Sequence, residues 1–342
     1  MPKITFSLPL EASAFISWLK ANQKRIFYGI KITVTLATIG YLAITFKKDE
    51  ALYKEFFSVF SGNIQLNNSW ELIACLGLMP LNWLLEALKW RFLASKIEKI
   101  SVTTAVKGTL AGLALGFITP HAVGDYAARL YYLKLKHKIE AFGALLLTRV
   151  SMFYVSLFYG IVAFYILNRF DTLGTSMFLD EKVMMLTAAL AVLSLAILMN
   201  IHVLDHLPYK HPAFSWVWHS VKVLGEYTIN DFATAFLISF VRYSVFSLQY
   251  LLLLKYFGAD IYNVLTISSI WMVFFVKSVF PNFSFLNDLG VREIASVYFF
   301  TSIGIEASQA VLASLTLWLI NILTPTLLGL AVLLTSKYKK VL

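Results

Sequence analysis

Two short patterns place an acid four residues ahead of an arginine and shortly after a proline: Asp125-Tyr126-Ala127-Ala128-Arg129 follows Pro120, and Asp288-Leu289-Gly290-Val291-Arg292 follows Pro281. Residues four apart share one face of a helix, so each aspartate stands beside its arginine. An arginine held this way offers a planar fork of donors suited to a phosphate, while the aspartate orients it or relays a proton. Either pair alone fits an ion pair at a membrane surface equally well. Repetition beside two proline breaks favours the functional reading. Other ionisable residues stand in apolar surroundings, among them Glu86, Arg149, Arg242, Lys277, Glu293 and Glu306. At membrane depth each costs at least about 2.5 to 3.5 kcal/mol, which demands a partner or a function. The candidate substrate-binding set is therefore Arg129, Arg292, Asp125, Asp288, Glu293, Lys277 and Glu86, with Pro120, Gly124, Pro281 and Gly290 as structural hinges. Lys277 has no local acid and should face a cavity, an anionic head group or an acid such as Glu293. Glu86 should find a partner on another segment.

Other patterns read as architecture. Lys89, Trp90 and Arg91 close a long apolar run, where an aromatic belt and snorkelling cations are normal, so they are expected to be interfacial anchors. Gly108, Gly112 and Gly116 form a small-residue row at helical spacing, a surface that lets backbones approach closely. His202 and His206 are spaced to share a metal, but with no third ligand in view a wet interfacial loop is the better reading. Phosphate-binding loops, dinucleotide glycine fingerprints, nucleophile elbows and zinc spacings are absent, so no metal or cofactor is expected and ATP-driven pumping is unsupported.

The elements that must hold these residues are membrane helices. The 342 residues are 59% hydrophobic and 14% charged, against roughly 25% charged in a soluble domain. Mean hydropathy is +0.73. Runs of about 20 apolar residues suffice to cross a hydrocarbon core about 30 Å thick, and six are visible: Phe27–Phe46, Trp70–Phe92, Ala141–Leu167, Val183–Val203, Phe232–Tyr256 and Ser308–Leu334. The fold expected is all-α, a single polytopic integral membrane bundle over 1–342. A lone Cys75 excludes an internal disulfide, and the N-terminal residues lack the pattern of a cleavable signal. The net charge of +10 lies in loops beside spans, which argues for anionic lipid surfaces and against nucleic acid. Lys3, Lys20, Lys24 and Arg25 outweigh Glu11 before the first span, and Lys337, Lys339 and Lys340 end the chain. Both termini are expected in the cytoplasm of a bacterial-type inner membrane.

Two segments break the pattern. Thr109–Thr119 is apolar for only about half a bilayer thickness at 1.5 Å per residue, and basic clusters flank it on both sides. A re-entrant element satisfies both facts, and backbone of that kind is tolerated only inside protein or along a wet cavity. Ile261–Phe280 breaks at Pro281-Asn282 and resumes over Ile294–Ile305. An offset of 161 residues lays Pro120 on Pro281, Ile100 on Ile261 and Leu93 on Leu254. Three full spans and one broken element per half, over 27–168 and 183–335, would form an inverted repeat with the site at its midplane interface.

Pro120-His121-Ala122-Val123-Gly124-Asp125-Tyr126-Ala127-Ala128-Arg129, together with Gly290-Val291-Arg292-Glu293 after Pro281 and the basic Lys89-Trp90-Arg91 end of an early span, resembles the membrane region of the lysylphosphatidylglycerol synthase/flippase family. The likeness runs from about Ile26 to Ser336. Asn287-Asp288-Leu289-Gly290 stands where the family's pattern has a glycine pair. The resemblance implies a bundle that moves lipids or lipid-linked molecules between leaflets. Larger members add a soluble aminoacyl-transferase domain after the membrane part; this sequence ends at Leu342, so lipid aminoacylation is not expected. The leading expectation is a flippase or lipid-linked-substrate transporter acting on an anionic phospholipid or polyprenyl-linked head group, alone or as a homo-oligomer. A noncatalytic partner of a cell-envelope lipid synthase is one alternative. An intramembrane lipid-modifying enzyme using Glu86 or Asp125 as base is the other.

Overall fold

Apolar runs of bilayer length fold as helices because a lipid-embedded backbone must satisfy its own hydrogen bonds. The computed structural model describes residues 22, 25, 29, 32, 33, 36, 69–119, 122–134, 138–170, 181–199, 223–261, 263–279 and 291–336. Among the described residues four helices are long and apolar enough to cross a membrane: Trp70–Ala94, Ala141–Arg169, Ile229–Tyr256 and Ala307–Thr335. They coincide with four of the expected spans. A fifth expected span is present as a helix at Glu181–Met199, and the first, Phe27–Phe46, lies largely outside the described residues. No strand occurs among the described residues.

The helices are α1 (Ser69–Ala94), α2 (Val102–Phe117), α3 (Val123–Tyr131), α4 (Lys138–Arg169), α5 (Glu181–Met199), α6 (Ile229–Tyr256), α7 (Val264–Val279), α8 (Val291–Thr301), α9 (Ala307–Trp318) and α10 (Thr324–Thr335). Helices α9 and α10 are joined by a π-helical turn, Leu319–Leu323, into one continuous span.

In an apolar medium helices are held by packing and by polar contacts between them. Helices α1 and α6 run antiparallel and are bonded along their whole length. Lys255 Nζ pairs with Glu71 Oε1 at 3.4 Å, Gln249 donates to Cys75 O at 2.8 Å, and Arg242 Nε donates to Asn82 O at 3.3 Å. Lys89 then donates to Ser239 Oγ at 3.0 Å, and Tyr227 donates to Leu93 O at 2.7 Å. Lys96 meets Asp231 at 2.9 Å. Asp231 also closes a capping box with Thr228 that starts α6.

The short helices form two hairpins. Ser101 caps α2 by accepting from Thr104 N at 3.1 Å. Arg91 at the end of α1 donates to Ile100 O at 3.2 Å, so α2 starts beside that end. Its far end, Phe117, packs in a cluster with Trp83, halfway along α1. The chain reverses through Ala122, whose φ of 53° is left-handed. Gly124 N donates to Thr119 Oγ1 at 2.8 Å, which starts α3 on its way back along α2.

The second hairpin begins at the opposite end of the bundle, after α6 closes at Gly258. Near the end of α7, Ser278 shares a 2.8 Å hydrogen bond with Ser156, halfway along α4. Helix α8 returns along α7, with Ser269 donating to Phe299 O at 3.3 Å. Helices α2 and α3, over the expected break at Thr109–Thr119, thus lie side by side from one end of the bundle, and α7 and α8, over Ile261–Phe280 and Ile294–Ile305, do so from the other; the connection 280–290 lies outside the described residues. Both pairs reach its mid-length.

The π-turn has a physical cause. Pro325 lacks the N–H that would bond the carbonyl of Asn321 one turn earlier. That carbonyl accepts from Trp83 Nε1 at 3.0 Å, and the Asn321 side chain accepts from Asn82 at 2.9 Å.

Candidate functional site

Helix α2 turns its glycine row onto α3. A Cβ at Gly112 would overlap Asp125 Oδ1, and one at Gly116 would lie 3.3 Å from Ala122 Cβ. At Gly124 a Cβ would overlap the Leu115 carbonyl. The absence of side chains at Gly112 and Gly124 therefore draws α3 close to α2, with the Asp125 carboxylate held against the helix. Replacing Gly112 by alanine should push Asp125 off its partners and cost about 1–3 kcal/mol, as overpacked sites do. Gly77, with nothing within 4 Å of its Cβ position, is the internal control. Thermal unfolding in detergent should rank Gly112→Ala well below Gly77→Ala, and equal stability would contradict this packing.

Once seated, Asp125 bridges two arginines. Arg129 Nε donates to Oδ1 at 2.8 Å, one helical turn away as the spacing requires, and Arg149 of α4 bonds Oδ2. Arg129 also donates to Glu86 Oε1 at 3.1 Å. Lys89 and Arg242 pair with Glu86 Oε2, each at 3.2 Å. Glu86 thus finds the partners on other segments that its depth demands. Lys89, Arg129, Arg149 and Arg242 surround Glu86 and Asp125, four cations to two carboxylates, drawn from α1, α3, α4 and α6. All but Arg149 are buried.

Lys89 and Trp90, expected from their place at the end of a run to be interfacial anchors, are instead buried inside the bundle. Lys89 is fully buried and also donates to Thr148 O at 3.0 Å, and Trp90 is 1% exposed. Helices α4 and α6 cover this side of α1, which continues through Ala94. Arg91, one residue on, is exposed.

A cavity of about 250 Å³ opens between the hairpins. Gly112, Gly116 and Asp125 form one wall, and Lys277, Ser278 and Arg292 form another. Arg149 and Arg242 line it from the spanning helices, with Arg242 lying 4.9 Å over the Trp83 ring. Among the described residues, Arg149, Arg242, Lys277 and Arg292 thus line the cavity together with the carboxylate of Asp125. Arg149 keeps 46% of its side chain exposed.

Arg292 is anchored at its back. It donates to Ser314 Oγ at 2.8 Å and to Glu293 Oε1 at 2.9 Å, and Ser314 donates to the same carboxylate oxygen at 2.9 Å. Tyr250 and Ser296 share a 2.6 Å hydrogen bond beneath, and Ser296 donates to Arg292 O.

Of the candidate residues, Asp125, Lys277 and Arg292 line one cavity, Glu86 and Arg129 lie in the network behind it, and Glu293 braces Arg292. Pro120, Pro281, Asp288 and Gly290 lie outside the described residues, as do His202, His206 and the residues expected to form an interfacial loop around them. Arg149 and Arg242 were legible as ionisable residues at membrane depth, but no motif marks them. The structure makes them cavity walls. Among the described residues no group of three or more His, Cys, Asp or Glu side chains could hold a metal.

A family model described as "Lysylphosphatidylglycerol synthase TM region" matches residues 30–329. Comparison with curated proteins and with solved structures gives no match.

Proposed function

The chain belongs to the family described as the lysylphosphatidylglycerol synthase TM region, an integral membrane family tied to lipid handling, and on that premise we propose that it carries an anionic lipid head group between leaflets. The observation that carries this reading is the cavity where two hairpins from opposite ends of the bundle meet, lined by Arg149, Arg242, Lys277 and Arg292. Desolvation of the head group is the main barrier to crossing. Fixed guanidinium groups lower it by replacing hydration with charge-assisted hydrogen bonds, while acyl chains stay in lipid.

In this reading the hairpins are re-entrant elements of an inverted repeat, and the site lies at the repeat interface near the midplane. The end of the bundle that carries Arg91, Lys96, Lys99 and Lys107 faces the cytoplasm of an inner membrane, as do both termini. Arg149 and Arg292 offer the head group their donors, Lys277 adds a point charge, and Asp125 and Glu293 hold the arginines in place. Glu86 lies behind the wall, which supports transport over an enzyme using it as base.

The test is leaflet exchange of a labelled anionic lipid in proteoliposomes. Intact protein should exchange it about tenfold faster than Arg149→Ala or Arg292→Ala, the effect of losing roughly 1.4 kcal/mol of barrier lowering. Equal rates in all three would reject the assignment and favour a noncatalytic partner. A lipid of new mass would favour the enzyme.

A further inference from the structure

We propose that Asn321, in the π-turn between α9 and α10, is a positioning residue for Arg242: through Asn82 and Trp83 it fixes that guanidinium in the cavity before a head group arrives. This rests on the head-group reading above.

Arg242 is gripped at its base and over its plane. Its Nε donates to Asn82 O at 3.3 Å, and its guanidinium carbon lies 4.9 Å from the centre of the Trp83 ring and 5.5 Å from that of Phe246. Asn82 and Trp83 are consecutive on α1, and both are tied to Asn321. Asn82 Nδ2 donates to the Asn321 side chain at 2.9 Å, and Trp83 Nε1 donates to the Asn321 main-chain carbonyl at 3.0 Å. That carbonyl is on offer because Pro325, one turn later, brings no N–H to it. Asn82 and Asn321 are fully buried, so water does not compete for their bonds. One residue of the last span thus sets both groups that orient the arginine.

Ser314, seven residues earlier in the same span, accepts from Arg292 Nε at 2.8 Å. The span Ala307–Thr335 therefore orients two of the cavity arginines, Arg292 directly and Arg242 through α1. Orientation matters because a guanidinium meets phosphate through a planar fork, and a small rotation forfeits one of its two bonds. A side chain fixed beforehand also gives up less freedom when the head group binds.

The experiment measures exchange of labelled phosphatidylglycerol between the leaflets of proteoliposomes. Trp83→Phe keeps a ring over Arg242 and removes the donor to Asn321, while Asn321→Ala removes the acceptor of Asn82. Each should slow exchange about fivefold, the size of one hydrogen bond's net contribution. Arg242→Lys keeps a charge for Glu86 but has no fork to orient, and it should slow exchange to a similar degree. In that background Trp83→Phe and Asn321→Ala should each cost less than about twofold further, because residues that act through one group are not additive. Pro325→Ala returns an N–H to the Asn321 carbonyl, so exchange should fall while the unfolding temperature in detergent holds or rises. Should Asn321→Ala not fold, Trp83→Phe decides.

Undiminished losses in the Arg242→Lys background would overturn the inference and make Asn321 a tie between helices only. Trp83→Phe or Arg242→Lys at the intact rate would overturn it as well. Any of these results, with Arg149→Ala and Arg292→Ala still slow, leaves head-group transport standing. Exchange by the intact protein no faster than in empty vesicles would sink both.

Discussion

Replacing Glu86 by glutamine should destabilise the protein by about 3–5 kcal/mol, the usual result of removing one partner from a buried ion network. The carboxylate is the shared counter-ion of Lys89, Arg129 and Arg242, which approach it at 3.1–3.2 Å from three helices. Glutamine keeps the shape but leaves these cations facing one another with only Asp125 to offset them. Removing a cation should act differently, because the network carries them in excess. Lys89→Met preserves packing volume along the stem and leaves Glu86 with two arginines, although Thr148 O and Ser239 Oγ lose their donor. Thermal unfolding in detergent should therefore show a clearly larger loss for Glu86→Gln than for Lys89→Met. The reverse order would mean that the lysine's hydrogen bonds, not the charge balance, hold the bundle centre.

Gly329→Val should be nearly as damaging, at about 3 kcal/mol, for a reason that involves no charge. Gly329 on α10 lies against the backbone of α2, and a Cβ there would overlap the Leu110 carbonyl oxygen while approaching Ala114 Cβ to 3.1 Å. Backbone cannot rotate out of the way as a side-chain tip can, so the helices must separate. Their separation would loosen the first hairpin, whose other face holds Asp125 and one cavity wall. Both unfolding temperature and leaflet exchange should fall, whereas Gly77→Ala at an exposed position of α1 should leave both near their starting values. A valine variant with unchanged stability would show that the α2–α10 contact has slack absent from this structure.

The spans were legible because bilayer transfer is nearly a local property: about twenty consecutive side chains decide it, and their neighbours elsewhere matter little. Hence the runs at Trp70–Phe92, Ala141–Leu167, Phe232–Tyr256 and Ser308–Leu334 agree closely with the helices that formed. The Asp125–Arg129 pair was equally legible, since a four-residue spacing on a helix sets the contact without help from the rest of the fold. The glycine row could be read as a packing surface for the same reason.

Only tertiary structure decided what those elements meet. Nothing near Glu86 in the chain announces Arg129 or Arg242, and nothing near Arg149 announces Asp125. These pairings depend on how separate helices cross, which is set by close packing such as Gly112 on Asp125 and Gly329 on Leu110. Lys89 shows the limit of local inference most clearly. Its position at the end of an apolar run suits an interfacial anchor, yet α4 and α6 enclose it, because burial is a property of what surrounds a residue and not of the residues beside it in sequence.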